Sequence, residues 1–158
     1  MMNDRQHYST PKPLGEVMSL LERRLETPIV PGELSAWLAS ASEAFDQVEP
    51  LLRAHIEKDH AEQLKEIRNQ DAELAHRVSQ LREEDARILA EFGVLRQELA
   101  SLAKQGEQTP VPKSGPAYDA AEKMADRGLK LAVAFRKQEA AIATWFVEAF
   151  QRDRGPVD

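Results

Sequence analysis

The stretch AELAHRVSQLREEDARILAEFGVLRQELASLAK, residues 72–104, decides the fold. Its apolar residues recur as Leu74, Val78, Leu81, Ile88, Phe92, Leu95, Leu99 and Leu102. Steps of three and four residues put them on one side of an α-helix, which turns about once every 3.6 residues. The one gap in this seam falls on Asp85, so a carboxylate stands where the rest of the helix is buried. Asn69-Gln70-Asp71 reads as the turn before it, with Asp71 as N-cap. Lys104-Gln105-Gly106 reads as its end, with glycine in a left-handed cap.

Upstream, a helix is expected from Gly32-Glu33 with Leu34, Trp37, Ala41, Phe45, Val48, Leu52, His55 and Asp59 facing inward. Pro50 lies inside this run, and an internal proline removes a hydrogen bond and kinks or ends a helix. The apolar phase carries through it, which favours one kinked helix to about Arg68. The alternative is two helices that break at Glu49-Pro50. A shorter helix is expected from about Pro13, with Leu14, Val17, Met18, Leu21 and Leu25 on one face, ended by Thr27-Pro28 and Pro31-Gly32. Residues 1–12 read as a flexible polar tail.

Downstream, residues 105–116 read as a linker between the third and fourth helices. Pro116 suits the first position of the fourth helix. Ala121, Met124, Gly128, Leu131, Phe135, Glu139, Ile142, Phe146 and Ala149 share its face, and Arg154-Gly155-Pro156 closes it. Gly128 is expected to let two helices approach closely. Four amphipathic segments with short or medium connections predict an all-α fold, an antiparallel up-down four-helix bundle in one domain over residues 13–154.

A chain of 158 residues is long enough for one such core. The formal net charge of −6 and the lack of a basic stripe argue against nucleic-acid binding. Cysteine is absent, which excludes disulfides, thiolate metal sites and cysteine nucleophiles. The N-terminus lacks the apolar core of a signal peptide. The longest apolar run, from Ala140 to Val147 with Thr144 inside it, is too short to span a bilayer. A soluble cytoplasmic protein with no membrane association is expected. Neither a Gly-rich phosphate loop nor a hydrolase triad stands out.

Function is sought among polar groups on buried faces. His55 and Asp59 share one side of the second helix, Asp85 stands on the third and Glu139 on the fourth. At about 1.5 Å per residue, His55 and Asp85 both lie roughly 21–24 Å from the turn near Asn69. Glu139 falls at a similar level, so the four groups are expected to converge on one layer. A buried carboxylate must be neutralised, paired or bound to a metal. The layer is therefore either a hydrogen-bonded network or a site for one divalent cation. One imidazole with three carboxylates would suit iron or manganese. Two Glu-x-x-His pairs, Glu57 with His60 and Glu73 with His76, read as chance in a charged helix.

These residues resemble the hemerythrin-type cation-binding bundles. LLRAHIEKD, residues 51–59, is similar to that family's second helix, where an acid follows a histidine by four residues. LREEDARILAEF, residues 81–92, resembles its third helix, with Asp85 in place of a histidine. FRKQEAAIATWFVEAF, residues 135–150, resembles its fourth, with Phe135 in place of a histidine and Glu139 matching the acid. The resemblance implies a helical bundle descended from a dinuclear iron site. That site needs more histidines than His7, His55, His60 and His76 supply. Leu89 stands where another would be, and Glu22 is the nearest candidate on the first helix. The expected role is non-enzymatic: structural, regulatory or protein-interacting, with a protein partner or a second copy of the chain and no cofactor. The alternative is one iron or manganese ion on His55, Asp59, Asp85 and Glu139, for sensing or storage.

Overall fold

Leu74, Val78, Leu81, Ile88, Phe92, Leu95 and Leu99 are all buried, and so is Asp85, in a computed structural model that describes residues 10–108 and 115–152. The helix that carries all of them except Leu74, α4, spans Ala75–Gln108. A short 3₁₀ turn, Ala72–Leu74, leads into it. Asp71 starts that turn by accepting a hydrogen bond from the Glu73 N–H at 3.0 Å, as expected of an N-cap.

The first helix, α1, spans Lys12–Glu26 and stops at Thr27, where Pro28 holds the chain extended. Gly32 follows with φ of 91°, a left-handed turn that suits glycine. Its N–H donates to the Tyr118 hydroxyl at 2.7 Å and ties this turn to the last helix. The next helix, α2, spans Leu34–Ala54 and passes through Pro50 without a break. One π-helical turn, His55–His60, joins it to α3, Ala61–Gln70. Together these make one continuous run, in place of a break at Glu49-Pro50. The last helix, α5, spans Pro116–Arg152 and opens on its proline.

Two expected boundaries shift. Helix α4 continues past Gly106 to Gln108, and Gly106 is not left-handed, so the linker is shorter than 105–116. Alanine, glutamate and lysine around that glycine are adequate helix formers, and one glycine costs only about 1 kcal/mol. Thr10 and Pro11 are placed and Lys12 is already helical, against the expected tail over residues 10–12; its remainder, residues 1–9, lies outside the described residues. The expected stop at Arg154-Gly155-Pro156 lies outside the described residues.

Four helices pack against one another, counting α2, the π turn and α3 as one, and no strand occurs among the described residues. Helix α2 lies on α1 and α4, while α5 lies on α4, α3 and α1. Among the described residues, no helix is long and apolar enough to cross a membrane.

The apolar interior comes in two parts. The larger contains α1 side chains, those of α2 through Leu52 and Ile56, Ile88 to Leu99 of α4, and Tyr118 to Phe135 of α5. The smaller contains Leu64, Ile67, Leu74, Val78, Leu81, Ile142 and Ala149. On the α2–α3 run, α4 and α5 the break between the two is occupied by polar side chains: His55 and His60, Asp85, and Gln138 with Glu139.

Gly128 sits where α5 meets α1. A methyl group built on it would lie 2.5 Å from Leu25 Cδ1, 3.4 Å from Phe45 Cζ and 3.6 Å from Leu95 Cδ2. Alanine gains about 1 kcal/mol of helix propensity over glycine. Overpacking costs roughly 1–3 kcal/mol. Gly128→Ala should therefore destabilise the native chain. In a Leu25→Ala background, where the obstructing methyl is gone, it should stabilise. Urea midpoints of the four proteins check the change of sign.

Candidate metal centre

The buried polar side chains among the described residues are His55, His60, Gln63, Asp85 and Gln138. All but Gln63 are joined in a band between the two apolar clusters, and Glu139 completes it. Sequence spacing alone does not put His55 and His60 together. Five residues along an α-helix turn the side chain by about 140° from its starting direction. The π turn supplies the difference, because its hydrogen bonds close over one more residue per turn. His55 and His60 are both buried as a result, with ring centroids 4.6 Å apart. Phe135 walls the pair, edge-on to His55 at 6.1 Å and stacked on His60 at 6.3 Å.

The two imidazoles share one acceptor. His55 Nε2 and His60 Nε2 each lie 2.5 Å from Glu139 Oε1. Behind them, His55 Nδ1 lies 2.7 Å from Asp59 Oδ2, and His60 Nδ1 lies 2.9 Å from Asp85 Oδ1. Gln138 Nε2 donates to the same Asp85 oxygen at 3.0 Å and to the Leu81 carbonyl at 2.6 Å. The second Glu139 oxygen accepts from the Thr10 hydroxyl at 2.9 Å. His55 Nε2, His60 Nε2 and Glu139 Oε1 form a set of metal-ligating atoms within one coordination sphere's reach.

All four ring nitrogens thus face carboxylate oxygens. An ionised carboxylate only accepts, so each nitrogen facing one must carry a proton or share a cation. With one proton on each Nδ1, both Nε2 lone pairs would point at an anionic oxygen. The arrangement is stable if the imidazoles are protonated or if a cation sits among the three atoms.

Burial pushes the His60 imidazole down, yet its hydrogen bonds to Asp85 and Glu139, with their charges, outweigh this and raise it from 6.5 to about 9. Burial pushes Glu139 up, but the hydrogen bonds from His55 and His60, with their charges, outweigh it and hold the carboxyl at about 2 instead of 4.5.

The expected site residues do meet, with changed roles. His55 and Glu139 touch directly. Asp59 and Asp85 stand behind the imidazoles, and Asp59 lies at the edge with a third of its side chain exposed. Glu22 is not in the band; it pairs with Arg136. His76 is exposed, as expected. His60 is the residue that spacing missed, since the pairing with Glu57 read as chance. A signal was present. Leu52, Ile56, His60 and Leu64 run in successive steps of four. Each such step drifts by about 40° in an α-helix. Without an extra residue in the turn, Leu64 would point about 120° away from Leu52 and off the apolar face.

No family model, curated protein or solved structure matches this chain.

Two expectations follow for the cation-free protein. The His60 contribution to stability is complete below about pH 6.5 and is lost as pH rises through about 9. The Glu139 contribution is complete above about pH 4.5 and is lost as pH falls through about 2. Urea midpoints should therefore be highest between these windows and fall on the alkaline side, and His60→Gln should flatten that alkaline limb. Leucine at an unpartnered buried aspartate would stabilise the fold. Asp85 has two partners, so Asp85→Leu should cost roughly 3 kcal/mol, measured by the same denaturation.

Proposed function

We propose that this chain binds one divalent transition-metal ion in the middle of its helical bundle, with His55 Nε2, His60 Nε2 and Glu139 as its protein ligands. The observation that carries the proposal is the convergence of both Nε2 atoms on one carboxylate oxygen while each Nδ1 is held by an aspartate. A carboxylate behind a ligating imidazole fixes its tautomer and raises its basicity. A cation also offsets the three acids of the band. Two imidazoles and one carboxylate suit iron, manganese or zinc, and leave positions open on the ion. The ion would hold the band's charges together; the chain's own groups orient the imidazoles and, through Phe135, keep one side dry.

The proposed role is binding, for sensing or storage, in a cytoplasmic protein without catalytic activity. It includes an antiparallel up-down order of the four helices and a hemerythrin-type ancestry in which a dinuclear site has shrunk to one ion. The grouping of His55, His60 and Glu139 from the second and fourth helices is what supports that ancestry.

A second reading has its own support. His60 is held up to about 9, so at neutral pH protons on both of its ring nitrogens satisfy Asp85 and Glu139 without a cation. The protein is then a structural or interaction bundle, meeting a protein partner or a second copy.

Metal analysis of protein purified without an affinity tag separates the two. The cation reading expects about one equivalent of metal, or uptake of one equivalent of added Mn²⁺ or Zn²⁺ after chelation. Binding should raise the thermal midpoint, by about 2.7 kcal/mol of stability at a hundredfold excess over Kd. His60→Gln and Glu139→Gln should each abolish uptake. Protein that is metal-free, and whose midpoint ignores both chelator and added metal, would leave the proton-satisfied bundle standing.

A further inference from the structure

The route by which a cation would enter or leave the site is set by unequal burial. The His55 and His60 side chains are 3% and 1% exposed, whereas that of Glu139 is 13% exposed. Glu139 is therefore the ligand nearest solvent. Thr10 stands beside it. Its hydroxyl donates to Glu139 Oε2, which leaves Oε1 to the two imidazoles.

This contact joins residues far apart in sequence, and the chain around it is stiff. Pro11 is the residue before α1, with φ of −55° and ψ of 140°, and Pro13 lies in the first turn. A proline fixes its own φ and pushes the preceding residue into an extended form. Thr10 is thus directed by Pro11 before any tertiary contact forms. Leu14, one turn later, is 1% exposed and anchors α1 in the larger cluster. The half-buried Thr10 is held between this anchor and the carboxylate.

We infer that Thr10 is the latch of the cation site: its hydroxyl holds Glu139 on one oxygen and the chain at Thr10-Pro11 closes the solvent side. The inference rests on the cation-binding reading above. Thr10 touches the ligand and not the ion, so it is a positioning residue. Its effect belongs mainly to the rate of release, because opening the hydrogen bond frees Glu139 to swing outward.

The test uses the full chain loaded with Mn²⁺, mixed with excess chelator, and follows release in time. Thr10→Val keeps the branched shape and removes the hydroxyl; Thr10→Ser keeps the hydroxyl. Loss of a group that orients a metal ligand typically costs ten- to a hundredfold. Release from Thr10→Val should be roughly ten- to a hundredfold faster than from the native chain, and Thr10→Ser should restore the native rate. Circular dichroism checks that both variants keep their helices, which a merely structural role would alter first. Equal release rates in all three proteins would overturn the latch and leave the cation site intact. Equally fast release from both variants would overturn the role of the hydroxyl. A native chain that takes up no Mn²⁺ would overturn the cation reading itself and the latch with it.

Discussion

One carboxylate oxygen faced by two imidazoles is the constraint on which the rest of this structure depends. Taking charged groups out of water costs several kcal/mol apiece unless they are paired. The chain meets that cost by completeness. Each imidazole nitrogen has an acid, Asp85 has Gln138 as well as His60, and the outer oxygen of Glu139 has Thr10. Removing Glu139 would leave both Nε2 atoms without a partner at once. One buried amide nitrogen, on Gln63, has no partner among the described residues.

The polar band also explains the division of the core. Apolar clusters above and below it do the bulk of the stabilising, at about 25 cal/mol per Å² of apolar surface removed from water. The band adds direction. An apolar seam tolerates a slide of one helix along another by a turn, whereas these hydrogen bonds connect particular residues of three helices and reach the start of a fourth. Buried polar groups fix register in this way in coiled coils, at some expense in stability.

Much of this was legible in the sequence, and for one reason. The α4 seam repeats without a slip from Leu74 to Leu99, so the position of Asp85 on it follows from helical geometry alone. The same holds for Glu139 between Phe135 and Ile142 on α5. Equal distances from a common turn then bring His55 and Asp85 to one level. What spacing could not give was the second histidine. A fixed period assigns Asp59 to the inside and His60 to the outside, and a single π turn brings His60 inside and leaves Asp59 at the edge. Thr10 escaped for a different reason: polar composition describes a segment's solubility and says nothing of a long-range partner. Gly106 misled because a glycine permits a helix to stop without requiring it.

The π turn carries an implication for how this chain can change. It amounts to one surplus residue in an otherwise regular helix, and everything beyond it is phased accordingly. Leu64, which helps form the smaller cluster, owes its inward direction to the same surplus that turns His60 inward. Loss of that residue in evolution would turn Leu64 away from the interior along with the histidine. The inward direction of His60 and the packing of Leu64 thereby rest on one and the same extra residue.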